Sequence, residues 1–275
     1  MLFRSVAGLS AISARWPTAV VLGATATSLF LLGGVMITGL QAGIVFLIWI
    51  GLIGAIQMLR PRERLPSHSR CDAIDVFAIA CLAVLVAFWC RHSAAALPEL
   101  KASGILPVWT DYYIHGTIIA QFGDALAVHR GSLDLADQPW VFYHYSSYII
   151  AAALAGVVQF PGLGLSTAIQ LPVGLLLAAI GSYALATTLG DRRAGVTAIA
   201  AFMLLPDPST YGFANGYFGF FWMMFTGPGA GYALGSAAVA LVCAVEWFRT
   251  RNWRPLALAL AIAGAMFEEI GRAHV

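Results

Sequence analysis

The chain has 275 residues, 60% of them hydrophobic and only 10% charged, with a net charge of +2. Soluble domains carry about 25% charged residues, so this composition excludes an ordinary soluble globule and a disordered chain. The near balance of fifteen basic and thirteen acidic residues leaves no electrostatic footprint for nucleic acid. Lys101 is the single lysine; every other base is an arginine.

A helix needs roughly 20 apolar residues to cross a bilayer. Residues 1–59 are expected to form an N-terminal amphipathic segment followed by a two-helix hairpin. Positions 18–59 hold no charged side chain, and the turn is expected near Gly39-Leu40-Gln41. Residues 60–75 follow as a loop carrying Arg60, Arg62, Arg64 and Arg70. A third span covers 76–90. Residues 138–190 are uncharged and are expected to give two spans, one starting near His144 and one ending near Leu189, divided by Phe160-Pro161-Gly162. Further spans are expected at 194–205, 211–226 and 230–248, the last two separated by Gly227-Pro228-Gly229, with a ninth from Leu256. The fold class expected is therefore all-α. It is a polytopic transmembrane bundle of about eight to nine spans, with an extracytoplasmic loop bearing interfacial helices.

Arginine marks the cytoplasmic side of a membrane protein. The 60–75 loop and the cluster Arg249, Arg251 and Arg254 are expected inside. The N-terminus, with Arg4 and Arg15, then lies inside too, and residues 91–140 lie outside a multi-pass plasma-membrane protein. Arg192 and Arg193 fall on the outer side in this count, against the bias. The first apolar run leads straight into a second, which argues against a cleavable signal peptide. Cys71, Cys81, Cys90 and Cys243 have no metal-type or C-x-x-C spacing. Residues 268–275, ending Ile270-Gly271-Arg272-Ala273-His274-Val275, read like a translated sequencing adapter. The reading frame is expected to be truncated inside its ninth span, and Glu268 and Glu269 receive no catalytic role.

The external loop at 91–143 is long, and such loops are usually functional or disordered. It is rich in aromatics, including Trp109, Tyr112, Tyr113, Phe122, Trp140 and Tyr143, which favour the membrane interface. From Asp111 to His129 the helical period places Asp111, His115, Ile118, Ile119, Phe122 and Leu126 on one face, opposite Tyr113, Thr117, Ala120 and Asp124. The expectation is an amphipathic helix lying along the outer surface. Asp111 is either a helix N-cap or a general base. His115 is either a structural hydrogen-bonding group or a ligand. Together they could hold a divalent cation, although two ligands are too few to claim one. Tyr143-His144-Tyr145 is either an interfacial anchor or a contact for an anionic headgroup, which Arg130, Lys101 and Arg91 could also serve. Asp124, like Asp134 and Asp137, is a solvated loop acid or a lesser site residue. Gly212/Gly216 and Gly231/Gly235 have the spacing that lets helices approach closely, and the aromatic run 217–222 reads as lipid-facing.

The pieces Trp109-Thr110-Asp111-Tyr112-Tyr113-Ile114-His115 and Tyr143-His144-Tyr145-Ser146-Ser147-Tyr148 resemble the GT-C superfamily of membrane glycosyltransferases over residues 76–267. That resemblance implies an acid in the first external loop as catalytic residue, here Asp111. His115, Asp124, Arg130, Tyr143 and His144 would bind substrate. It implies a lipid-linked sugar donor such as a polyprenyl-phosphate monosaccharide, an extracytoplasmic glycan or protein acceptor and contact with membrane lipids; the charge balance adds no nucleic acid, and no cofactor is expected beyond a possible divalent cation. A non-catalytic membrane subunit or scaffold and a small-molecule transporter are the alternatives.

Overall fold

The expected hairpin forms at the start of the chain. In the computed structural model, which describes residues 12–59, 73–105, 111–128, 145–158, 160–204 and 227–270, α1 (Ile12–Thr38) and α2 (Ala42–Leu59) are joined by a three-residue turn. Gly39 adopts a left-handed φ of 67°, and its amide closes the end of α1 on the Val35 carbonyl at 2.8 Å. Only glycine takes that conformation without strain. Phe30 stacks on Trp49 at 4.2 Å, and the Trp49 indole donates to Thr27 Oγ1 at 3.1 Å, so the two apolar helices are held by a polar bond as well as by packing.

The third helix is longer than expected. α3 (Ala73–Ser103) continues through Arg91 into what the sequence assigned to a loop. Arg91 is accommodated locally: it donates to the Phe88 carbonyl at 2.8 Å, and its guanidinium lies over the Phe88 ring at 3.6 Å. α4 (Asp111–Gly123) and α5 (Ser146–Val158) follow. Then comes α6 (Gly162–Leu189), long and apolar enough to cross a bilayer, and α7 (Arg192–Leu204), α8 (Gly229–Thr250) and α9 (Trp253–Ile270). Among the described residues there is no strand.

α6 contains a π-turn at Ser166–Gln170. Pro172 has no amide proton and crowds the carbonyl four residues back, so the preceding turn widens. Ser166 Oγ and Thr167 Oγ1 donate to the carbonyls of Leu163 and Gly164 at 2.7 and 3.1 Å, which supplies donors the helix ladder has lost there.

The bundle has two distinct ends. At one, Trp16 meets Tyr183 with ring centres 6.0 Å apart, Tyr183 bonds Asp75, and Asp75 pairs with Arg192 at 3.2 Å. At the other, Gly43, Gly123 and Gly156 bring α2, α4 and α5 into backbone contact. α6 and α8 pack together more extensively than any other pair. Gly174 faces Pro228 and Tyr232, Gly181 faces Gly235, and Ala184 packs with Val242. Positions rise together along both helices, so they run parallel and both end where Asp75 and Arg192 meet. Gly231 and Gly235 therefore act as the close-approach residues their spacing indicated.

This arrangement corrects the side assigned to Arg192. Arg192 does not lie across the membrane from Asp75; the two side chains touch. α5 has 13 described residues, about 20 Å at 1.5 Å per residue, shorter than a hydrocarbon layer of about 30 Å. Among the described residues four helices are long and apolar enough to span: Trp16–Thr38, Ala42–Leu59, Gly162–Leu189 and Gly229–Thr250. Shorter apolar stretches lie at Ala73–Phe88, Ser146–Val158 and Trp253–Gly264. The expected span at 211–226, with Gly212 and Gly216, lies outside the described residues.

Two large hydrophobic cores fill the bundle among the described residues, beside the small Ala184–Val242 cluster. One, nearer the Asp75 end, joins Val21, Leu82, Val86, Leu175, Tyr183, Val239 and Cys243. The other, toward the Gly39 turn, joins Leu31, Val35, Ile119, Phe122, Tyr148, Ile149 and Leu165. α1 runs through both.

Candidate functional site

The site begins with the helix that the sequence indicated. α4 starts at Asp111 and buries His115, Ile118, Ile119 and Phe122, while Tyr113, Thr117, Ala120 and Asp124 are exposed. The predicted faces are those observed, with Tyr112 and Gln121 added to the buried one. The helix does not lie on lipid, however: its apolar face packs on α5 and the start of α6. It also ends at Gly123, six residues short of the expectation, so Leu126 is exposed rather than on the apolar face. Gly123 meets the Ala152 carbonyl and Ala155, and the chain turns away there.

Asp124 accepts a 2.7 Å hydrogen bond from the Leu126 amide and stands exposed. It shapes the turn after α4. Asp111 is half-buried in the first turn of α4, where the helix dipole favours a carboxylate.

One helical turn on, His115 is 4% exposed. Its Nδ1 shares a 2.8 Å hydrogen bond with the Tyr148 hydroxyl; the direction follows the tautomer. Tyr112 packs edge-on against the imidazole at 5.6 Å, and the Tyr148 ring lies at 5.5 Å. The Tyr112 hydroxyl has no hydrogen-bond partner among the described residues. Burial, with the nearby Cys90 thiol adding to it, pushes its ionisation well above the usual tyrosine range, so it stays a neutral donor. Below Tyr148, Gln170 of the π-turn reaches Ser147 Oγ at 3.5 Å, and its Oε1 has no partner among the described residues.

Of the candidate site residues, Asp111 and His115 are thus placed one turn apart, and Asp124 stands exposed in the turn that follows α4. Arg130, Tyr143 and His144 lie outside the described residues. Tyr148 and Gln170 received no role from the sequence. The signal for Gln170 was present, as an amide inside an uncharged run; the pairing of Tyr148 with His115 joins separate helices and leaves no local pattern. Among the described residues no group of three or more His, Cys, Asp or Glu could hold a metal; Asp111 and His115 alone form the candidate pair.

The described fold is that of an all-helical membrane-type bundle with a partly buried acid–imidazole–phenol group beside its shortened helix. No protein-family model, curated protein or solved structure matches this chain.

Proposed function

We propose that the chain is an integral membrane glycosyltransferase of the GT-C type, transferring a sugar from a polyprenyl-phosphate donor to an extracytoplasmic acceptor. The observation that carries this reading is the half-buried Asp111 one turn from His115, whose imidazole is fixed by Tyr148. Both stand away from the arginine-rich end of the bundle. The described arginines that begin α7 and end α8 lie at that one end, which the positive-inside rule makes cytoplasmic. The N-terminus is then cytoplasmic, and Asp111 belongs to the outer half of a plasma-membrane protein.

In this mechanism Asp111 takes the proton from the acceptor hydroxyl as its oxygen attacks the anomeric carbon. The bond from that carbon to the phosphate oxygen breaks, and the electron pair leaves with the polyprenyl phosphate. The neutral Tyr112 hydroxyl and the His115–Tyr148 pair stabilise the departing oxygen as hydrogen-bond donors. Asp111→Asn is the test. Asn caps a helix about as well as Asp but accepts no proton, so transfer from polyprenyl-phosphate sugars in vesicles should fall about 10²- to 10⁴-fold with an unchanged melting temperature. Near-native transfer would return Asp111 to a capping role.

A second reading, a small-molecule transporter, is favoured by the short α5 and the π-turn in α6, since transporters place interrupted helices at mid-depth. Solute counterflow that survives Asp111→Asn would select it.

A further inference from the structure

The two hydrophobic cores meet at a seam that is not hydrophobic. Thr25 and Ser28 of α1, Ser146 at the start of α5, and Tyr232 and Ser236 of α8 surround one cavity, with Leu29 and Leu177 completing its wall. Thr25 and Ser28 fall between Val21 of one core and Leu31 of the other, so the cavity sits near the middle of the bundle. Five hydroxyl side chains at that depth need partners, because the surroundings supply no bulk water.

The hydrogen bonds around the cavity have a fixed direction. Thr25 Oγ1 donates its single proton to the Val21 carbonyl at 3.0 Å. Its 3.1 Å contact with Ser236 Oγ is therefore donated by Ser236. Ser236 thus spends its proton and keeps lone pairs. Ser28 is 4% exposed, and its Oγ has no partner among the described residues. The cavity consequently offers both an unused donor and unused acceptors. It encloses ≈ 10 Å³, the space of about one water molecule.

We infer that this cavity binds a single ordered water, hydrogen-bonded to Ser28 and Ser236, that joins α1 to α8 at the first turn of α5. Size and charge decide the ligand. Chloride is larger than water, and no cationic side chain is among the described residues that line the wall. A water both donates and accepts, which matches the complement left by the directed chain. The site lies beside the first turn of the helix whose Tyr148 holds His115, and it does not depend on the glycosyl-transfer reading.

The test is water-edited solid-state NMR of the protein in lipid bilayers. At short mixing times Ser28 and Ser236 should receive magnetisation from water, while Val21 and Leu31 on either side stay dark. Thr188, whose hydroxyl is buried and bonded to the Ala184 carbonyl, should stay dark too, which controls for hydroxyl chemistry. Ser28→Val, which removes the donor and fills the space, should abolish transfer to Ser236. Dark Ser28 and Ser236 in the wild-type protein would overturn the proposal even if that variant failed to fold. Undiminished transfer to Ser236 in folded Ser28→Val would overturn it as well. Exchanging chloride for gluconate should leave both serine shifts unchanged; a chloride-dependent shift would assign the cavity to a halide and refute the water.

Discussion

Asp75 Oδ1 stands 3.2 Å from Arg192 Nε and accepts a 2.6 Å hydrogen bond from the Tyr183 hydroxyl. These residues come from the start of α3, the end of α6 and the start of α7, so one carboxylate ties three helix ends into a layer. Because α8 runs parallel to α6, Arg249 and Arg251 join the same end of the bundle. The arrangement removes the exception in the arginine distribution that a full crossing at every apolar segment would create.

The topology that follows can be checked by labelling. Arg193 and Arg251 are exposed and lie at the Asp75 end, whereas Lys101 is exposed near the distal end of α3. In intact cells an impermeant amine reagent should modify Lys101. Cysteines replacing Arg193 or Arg251 should react with an impermeant maleimide only after permeabilisation. Labelling of the Arg193→Cys protein in intact cells would refute the shared cytoplasmic end.

The same contact sets an energetic expectation. Asp75 is 2% exposed, so removing its charge leaves Arg192 and Tyr183 facing a poorer acceptor. The Arg192 side chain is 31% exposed, and water offsets part of the loss. Asp75→Asn should lower stability by about 1–3 kcal/mol, read from thermal unfolding in detergent. Arg192→Gln should cost less. The double variant should lose less than the sum, by about 0.5 kcal/mol or more, because the two residues share one interaction. Strict additivity would mean that they are not coupled.

The hairpin, the Gly39 turn, the breaks at 160–162 and 227–229 and the buried face of α4 were legible in the sequence. Each is written in adjacent residues, as glycine and proline punctuation or as a repeat of apolar positions. The depth of each apolar segment was not. Ser146–Val158 and Gly162–Leu189 are both apolar, and only the helix lengths in the structure, 13 and 28 residues, separate them. The α6–α8 register depends on glycines in different helices meeting, and the Asp75–Arg192 pair joins positions far apart in the chain. At the candidate site Asp111 and His115 were visible as a one-turn pair, while the hydroxyl that holds His115 comes from α5.

Gly116 provides a test of the contact that seats α4. A Cβ there would lie 2.6 Å from Leu163 Cα and 2.8 Å from its nitrogen, both backbone atoms that cannot rotate away. Gly116→Ala should therefore push α4 from α6 and destabilise the protein by about 1–3 kcal/mol, the usual cost of overpacking. Gly51→Ala has nothing within 4 Å of the new methyl, and the higher helix propensity of alanine should leave its stability unchanged or raised by up to about 1 kcal/mol. Equal melting temperatures for the two variants would refute the close packing of α4 on α6.

Tyr148→Phe separates a structural from a functional role for His115. The substitution keeps the ring that lies 5.5 Å from the imidazole and deletes only the hydroxyl bonded to Nδ1 at 2.8 Å. A buried imidazole nitrogen left without that partner should cost about 1–3 kcal/mol of stability, which a purely structural contact would also do. The distinguishing measurement is kinetic. If His115 contacts the donor phosphate, loss of its orienting bond weakens binding, and KM for the polyprenyl-phosphate sugar should rise about 5- to 30-fold, the equivalent of 1–2 kcal/mol. The kcat should change less, since Asp111 is untouched. In a His115→Gln background Tyr148→Phe should add little to KM, because it acts through the missing ring. A Tyr148→Phe protein that melts earlier but keeps its KM would leave His115 as a packing residue and remove it from the site.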